Sequence, residues 1–400
     1  SPLPQAPSIQ PSLSQAPVSF SLYVHVPFCK RICTYCDFPR VLFDPETAAA
    51  TLRVTAATLR ALPESMRAVP VETIFFGGGT PSCVPTEALA AVLDVARETL
   101  AVDADAEISV EANPEDVTDA WIGAILDAGV NRVSLGVQSF ICAGPLGRRH
   151  TPERAVEAVS RLRAGGIDNL NLDLMFALPG QGPDELAADL AHLTALAPEH
   201  VSCYGLTLAP GTPLAADHAA GRWTFPDDET WLALDRLVAD RLTAAGYRRY
   251  EISNWARPGR ECRHNLRIWE GADYLGVGPA AVSRWGAWRW TEPADPTEYV
   301  RRADGCAWPR EGPPPWATSS ETVDAAGADI ETLLTGTRLT AGFLLSRLRG
   351  RLDEACICDL RDKGLLWQTG GRVGLTREGL PVADSILSRL VAAWLGPEES

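Results

Sequence analysis

The sequence predicts an α/β fold: an open or partial parallel barrel of six strand–helix units, followed by a small winged-helix-like domain. Three observations point there. From residue 21, short β-branched or apolar runs alternate with stretches whose apolar residues recur at three- and four-residue spacing, the pattern of strands alternating with amphipathic helices. Alternation of this kind builds right-handed βαβ units and a parallel sheet, and six visible units are too few for a closed eight-fold barrel. A proline-rich break at 308–320 then separates this region from a block that reads as helices, a hairpin and another helix.

The elements follow in order. Residues 1 to about 18 are rich in Pro, Ser and Gln, a composition that buries too little apolar surface to offset its ordering entropy, and are expected to be a disordered leader. Strands are expected at 21–26 (SLYVHV), 72–76 (ETIFF), 107–111 (EISVE), 131–137 (NRVSLGV), 169–174 (NLNLDL) and 201–206 (VSCYGL). Between them, helices are expected at 46–62, 86–100, 118–128, 152–165 and 183–196. The barrel with its C-terminal extension spans 19–307, and 308–320 (WPREGPPPWATSS), with four prolines, reads as a linker. In the final domain, 321–400, helices near 328–335 and 340–362 precede the runs LLWQT and RVGLT. These are joined by Gly370-Gly371, a hairpin signal, and a last helix follows at 377–396.

Composition narrows the function. Four hundred residues with 46% apolar content bury a large core, while a formal charge of −15 argues against a nucleic-acid partner, which needs clustered Lys and Arg. The same acidity favours structural packing over DNA contact for the winged-helix-like domain. No run of about 18 apolar residues occurs, and the first twenty residues lack the order of a signal peptide, so the protein is expected to be soluble and cytoplasmic. Ten cysteines are too sparse for a disulfide scaffold in a chain this long, and three crowd into eight residues.

Those three, Cys29, Cys33 and Cys36, form CKRICTYC in the loop after the first strand. A structural zinc site takes four protein ligands, usually from paired C-x2-C elements, and no second pair accompanies this one. Ordinary iron–sulfur clusters also take four cysteines. Three in one tight loop therefore suggest a [4Fe–4S] cluster with one iron open to an external ligand, a position that S-adenosylmethionine (SAM) fills through its amino and carboxylate groups. Three unrelated buried cysteines are the bland alternative.

The segment YVHVPFCKRICTYCDF, beginning at Tyr23, resembles the cluster loop of radical-SAM proteins of the oxygen-independent coproporphyrinogen III oxidase-like family and its heme-chaperone branch. The resemblance covers nearly the whole chain and implies a partial (β/α)6 radical-SAM barrel. Ligand sites on parallel barrels lie at the carboxyl ends of strands, where further matches fall. Gly77-Gly78-Gly79-Thr80-Pro81, after the second strand, resembles the loop that meets the SAM amino group. Glu111 of EANPE, Gln138 of GVQSF, Arg148 of LGRRH and Asp173 of NLDLMF resemble residues that hold the ribose, the methionyl carboxylate and neighbouring groups. Carboxylates accept from ribose hydroxyls, and the planar Arg fork pairs with a carboxylate. The stretch from Phe140 to Leu146 is shorter than is usual for the family, which bears on Arg148.

Tyr250 to Asn254 and Cys262 to Trp269 resemble family segments that close the barrel mouth, the second following an HN-x2-YW pattern except that Ile268 replaces Tyr. Histidine is a competent axial ligand for heme iron, and His264 of that pattern is the first candidate, a packed and hydrogen-bonded histidine beside Asn and Trp being the alternative. Other departures are Val282 where the chaperone branch usually presents His, Ala209 for Glu, and Ala177 for Gly. The oxidase branch carries a further cysteine two positions after the third and an extended N-terminal segment, whereas here Cys36-Asp37-Phe38 follows a disordered-looking leader. The expected function is therefore a heme chaperone that binds heme and transfers it to an acceptor protein, expected to be membrane-associated, with oxidative decarboxylation of coproporphyrinogen III by a 5′-deoxyadenosyl radical as the alternative. The C-x-C spacing of Cys356 and Cys358 is read as local packing or chance, with metal binding as the alternative.

Overall fold

The computed structural model describes residues 18–148, 151–350 and 352–395; the expected leader, apart from residue 18, lies outside them. Six parallel strands run β1 (Phe20–Val26), β2 (Pro70–Gly78), β3 (Ala101–Ala112), β4 (Arg132–Gln138), β5 (Leu170–Phe176) and β6 (His200–Gly205). Crossover helices α1 (Pro45–Arg60), α2 (Thr86–Thr99), α3 (Asp119–Asp127), α4 (Pro152–Ala164) and α5 (Pro183–Leu196) join them. Several of these helices start where the sequence caps them: Asp44, Thr118 and Thr151 accept from the N–H of Thr47, Trp121 and Arg154. Strand β4 is buried along its whole length, as a parallel strand covered on both faces should be.

After β6 come α6 (Asp228–Ala244), the short strands β7 (Arg248–Arg249) and β8 (Asn254–Ala256), and α7 (Arg263–Trp269). A further strand, β9 (Asp273–Val277), pairs in parallel with β1 and leads into a meander of β10 (Val282–Trp285), β11 (Trp288–Thr291) and β12 (Ser319–Thr322). The sheet order is β12-β11-β10-β9-β1-β2-β3-β4-β5-β6-β8-β7. It ends on two edges, so the barrel is partial, and β9 makes a seventh parallel strand beyond the six read from the sequence.

The segment expected to be a linker is packed. Trp308 and Trp316 meet edge-to-face at 5.1 Å, and Trp308 lies 6.2 Å from Trp290, all three buried in the main core. The C-terminal domain comprises α8 (Ala325–Gly336), β13 (Phe343–Leu344), α9 (Glu354–Asp362), β14 (Leu366–Thr369), β15 (Arg372–Leu375) and α10 (Ala383–Leu395). Its own core includes Leu333, Phe343, Leu360, Val373 and Leu390. Gly370 and Gly371 both have positive φ, +58° and +75°, and close the expected hairpin.

The helix expected over 340–362 is instead β13, a short turn and α9. Gly342 sits at φ +59°, where a Cβ would lie 2.1 Å from the Val373 carbonyl oxygen, and the N–H groups of Arg349 and Gly350 donate to Asp329. These contacts hold the chain in a turn that helical periodicity does not reveal. The last helix begins at Ala383, after a turn at Leu380–Val382 that contains Pro381. The domain docks across the opening of the partial barrel: Glu251 bridges Leu339, Arg338 Nη2 donates to Glu251 Oε2 at 3.1 Å, and the Arg338 guanidinium lies 4.5 Å from the Trp269 ring.

Ala177, one of the family departures, adopts φ +57° in the buried turn after β5. An L-residue there costs about 1–2 kcal/mol, partly offset by the roughly 0.5–1 kcal/mol by which Gly is entropically worse than Ala. Ala177→Gly is therefore expected to stabilise the fold by about 0.5–1 kcal/mol, read as a higher urea midpoint at unchanged m-value; a lower midpoint would contradict the strain.

Candidate functional site

The carboxyl ends of β1 to β6 open on one cavity of about 450 Å³, within the usual range for small-molecule sites. Register builds its wall: Tyr23 lies beside Phe75, Glu111 beside Ser134, Gly136 beside Asp173, and Asp173 beside Ser202. Because side chains alternate along a strand, the same faces point inward at each step.

The loop carrying Cys29, Cys33 and Cys36 forms one side of this cavity. Its backbone is pinned at several points: Thr34 donates its N–H to Leu146 O at 3.3 Å and its hydroxyl to Pro145 O at 2.7 Å, while Leu214 N donates to Thr34 O at 2.9 Å. Arg40 donates to Phe38 O at 2.8 Å and also to Cys36 O, and Lys30 pairs with Asp116 at 2.5 Å. Around the thiols, Thr80 Oγ1 lies 3.5 Å from Cys29 Sγ and Arg148 Nη1 3.8 Å from Cys33 Sγ. Burial pushes the Cys29 and Cys36 thiols up, so thiolates here need added positive charge or iron. Among the described residues no three His, Cys, Asp or Glu side chains are grouped to hold a single metal ion. Three cysteines on one loop leave a tetrahedral zinc one protein ligand short and suit a multi-iron cluster, with each thiolate on its own iron.

The glycine loop meets this face closely. A Cβ on Gly79 would lie 2.7 Å from Phe28 O, and Gly78, at φ +112°, would drive one into the His25 ring at 2.5 Å. His25 is itself fixed between Tyr23 Oη at 3.0 Å and Pro39 O at 3.1 Å, so it ties the cluster loop to β1.

Opposite the cysteines lie two carboxylates. Glu111 accepts from Gly78 N at 3.1 Å, and Asp173 from Asn171 Nδ2 at 2.6 Å. Burial, then the neighbouring Asp173 charge, pushes Glu111 up to about 8, and burial raises Asp173. No ion pair to either is formed among the described residues, so this wall suits a ligand that brings cationic groups and hydroxyls. Arg148 reaches the cavity despite the short preceding segment. It donates to Asn113 Oδ1 at 3.0 Å, to Gly136 O at 3.1 Å and to Gln138 Oε1, while its buried Nε has no hydrogen-bond partner among the described residues. Gly136 leaves it that room, since a Cβ there would lie 2.6 Å from Arg148 Nη2.

Tyr23, Cys29, Cys33, Cys36, Gly78, Gly79, Thr80, Glu111, Gln138, Arg148 and Asp173 thus line one cavity. Sequence reading missed His25, Asn113, Tyr204 and Ser202, which share it. Period-two alternation from Tyr23 and from Asp173's neighbours was the available signal for His25 and Ser202. His264 is not brought to the cavity, and the expectation that its segment closes the mouth is corrected. Helix α7 plugs the opposite, amino-terminal end: Arg263 N and His264 N each donate to Glu107 at 3.1 Å, and Arg267 pairs with Glu72 at 2.6 Å. The His264 ring, 3% exposed, bonds Thr73 Oγ1 through Nδ1 at 2.8 Å. The other segment does reach the mouth, through Ser253 and Asn254. Val282 lies on β10, partly exposed and away from the cavity.

Comparison with known proteins places this geometry. A family model described as the Radical SAM superfamily matches residues 23–193. The chain is 37% identical over 396 residues to the heme chaperone HemW of Mycobacterium tuberculosis, covering 97% of this chain and 99% of that protein. It is 33% identical over 399 residues to the mitochondrial radical S-adenosyl methionine domain-containing protein 1 of Bos taurus, covering 94% and 88%. Among solved structures, the radical SAM enzyme coproporphyrinogen III oxidase (HemN) of Escherichia coli superposes with a TM-score of 0.79 at 21% identity, over 94% of this chain and 91% of that one. At that identity the likeness is one of fold.

The raised Glu111 gives a pH signature. In the ligand-free protein the folded state holds this proton up to about pH 8, whereas the unfolded chain releases it near 4.5. Between those values the unfolded state binds fewer protons, so stability falls as pH rises. Glu111→Gln is expected to remove that decline, worth on the order of a few kcal/mol between pH 5 and 8. Urea unfolding across that window checks it, and parallel curves for variant and wild type would count against the assignment.

Proposed function

The chain belongs to the family of the heme chaperone HemW within the radical SAM superfamily, and from that membership we propose that it binds heme and passes it to an acceptor protein while carrying a SAM-bound [4Fe–4S] cluster. The observation that carries the reading is the meeting, in one cavity, of the three-cysteine loop, the glycine loop, Arg148 and two buried carboxylates that form no ion pair among the described residues. The donor set fits both groups. Cys29, Cys33 and Cys36 would ligate three irons and leave the fourth for the amino and carboxylate groups of SAM. Arg148 would pair with the methionyl carboxylate, and Glu111 and Asp173 would accept from ribose hydroxyls while offsetting the ligand's positive charge. Bound together, cluster and SAM supply one-electron chemistry.

His264 is proposed as the axial heme ligand. Burial, with Arg132 and Arg267 nearby, pushes its pKa down to about 3, so the ring is in the neutral, ligating form. The Thr73 hydroxyl fixes Nδ1 and leaves Nε2 for iron, the arrangement that orients metal-bound imidazoles. Because the ring is buried, heme would reach it only as α7 shifts from the barrel base. The proposed compartment is the cytoplasm, which the ten free cysteines support. A membrane-associated acceptor is part of the same proposal; no helix among the described residues is long and apolar enough to cross a membrane.

After anaerobic reconstitution, Cys33→Ala is expected to lose the cluster's iron and sulfide, and a full complement in that variant would refute the ligand set. With cluster, SAM and reductant present, the protein is expected to bind one heme and leave coproporphyrinogen III unconverted. Turnover without heme binding would promote the oxidase reading. His264→Ala is expected to shift the Soret band and weaken heme binding with the cluster intact; an unchanged band would move the axial role elsewhere.

A further inference from the structure

We propose that a second cavity, of about 310 Å³ at the base of the barrel, takes the propionate edge of heme, so that heme and SAM are held at opposite ends of the same barrel. The inference rests on the heme-binding reading above and names the surface that would serve it.

The cavity lies between α7, the first turns of the β9–β11 meander and α8 of the C-terminal domain. Arg284 of β10, Arg289 of β11 and Arg347 from the turn after β13 all line it. Two of these guanidiniums share one carboxylate: Arg284 Nε lies 2.9 Å from Glu331, and Arg289 also pairs with Glu331 while reaching Glu321 at 3.0 Å. Arg347 is exposed, lies over Gly271 so closely that a Cβ there would be 2.4 Å from its Nη2, and forms no ion pair among the described residues. Asp273 and Glu331 line the cavity beside the three guanidiniums, and Arg284 and Arg289 are held by Glu331 and Glu321, so among the described residues Arg347 is the guanidinium left open to an incoming anion. Arginine forks pair with carboxylates through two parallel bonds.

The rest of the lining suits the body of a porphyrin. Ile268, Trp269 and Tyr274 supply apolar and aromatic surface beside the arginines. Ile268 follows His264 by four residues on α7, and positions four apart share a helix face. The proposed axial ligand is therefore one turn from the cavity floor, and the shift of α7 that uncovers His264 would enlarge this cavity. A volume of about 310 Å³, near the lower limit for ligand pockets, suits the carboxylate edge before that shift. None of the residues lining this cavity lines the SAM cavity, so the two ligands would not compete.

Heme titrations of the full chain, followed at the Soret band, test this with heme and with its dimethyl ester, which lacks the carboxylates. Wild type is expected to bind heme about tenfold more tightly than the ester. Arg347→Glu, at an exposed position that holds no other group, is expected to weaken heme binding about tenfold and leave the ester unaffected, erasing the discrimination. Saturating SAM is expected to leave heme affinity unchanged. Equal binding of acid and ester by wild type, an Arg347→Glu variant that still discriminates, or displacement of heme by SAM would each overturn the placement. Failure of wild type to bind either porphyrin would instead overturn the heme-binding reading itself.

Discussion

Parallel neighbours can be joined only by crossovers, so every strand of a parallel sheet delivers its carboxyl end to the same side. That constraint is what the site depends on. Tyr23, Glu111, Gln138 and Asp173 are far apart in sequence, yet the pairing of β1 with β2, β3 with β4 and β4 with β5 brings them around one cavity. A slip of one residue in any pairing would turn its inward set outward. Buried apolar residues on the alternate positions, such as Leu22, Val24, Val133, Leu135, Leu172 and Leu174, resist that slip by packing under the crossover helices.

Charge is divided across the cavity in a way that the net charge conceals. The cysteine side carries Arg31, Arg40 and Arg148, whereas the facing side carries Glu111 and Asp173. An anionic cluster would suit the first and a cationic nucleoside the second. Without a ligand, the carboxylate side avoids part of its desolvation cost by holding a proton on Glu111, so ligand binding and proton release are linked.

How much of this was legible in the sequence depended on whether the signal was local. Six strands and five crossover helices follow from periodicity, and the eleven residues brought to the cavity stand beside recognisable turns or strand ends. Strand β9 escaped notice because DYLGV lies in a glycine-rich stretch behind a helix of only two turns, α7. Prolines made 308–320 look like a linker, but the two tryptophans in it, Trp308 and Trp316, are buried against Trp290. The place of α7 was illegible for a different reason: whether HNLRIW caps the mouth or the base is decided by Glu107, Glu72 and Thr73, more than 150 residues earlier in the chain. Contacts at that separation leave no trace in a local pattern.

The plug at the base has an energetic consequence for a protein that must release what it binds. Uncovering His264 breaks the two N–H bonds to Glu107 and the bond to Thr73, a cost on the order of 5 kcal/mol when two of the three are charge-assisted. The interior beyond it need not open, because Asn171, His200 and Tyr250 are bonded to one another at 2.6 and 2.7 Å and run on to Asp173 at 2.6 Å. A fully satisfied polar network of that kind is stiff. Heme held by iron ligation and arginine contacts would therefore be held against a segment that regains its own bonds when it closes. With heme bound as proposed, each bond re-formed by α7 would lower the net affinity and favour dissociation, so the closed base would suit handing heme on rather than storing it.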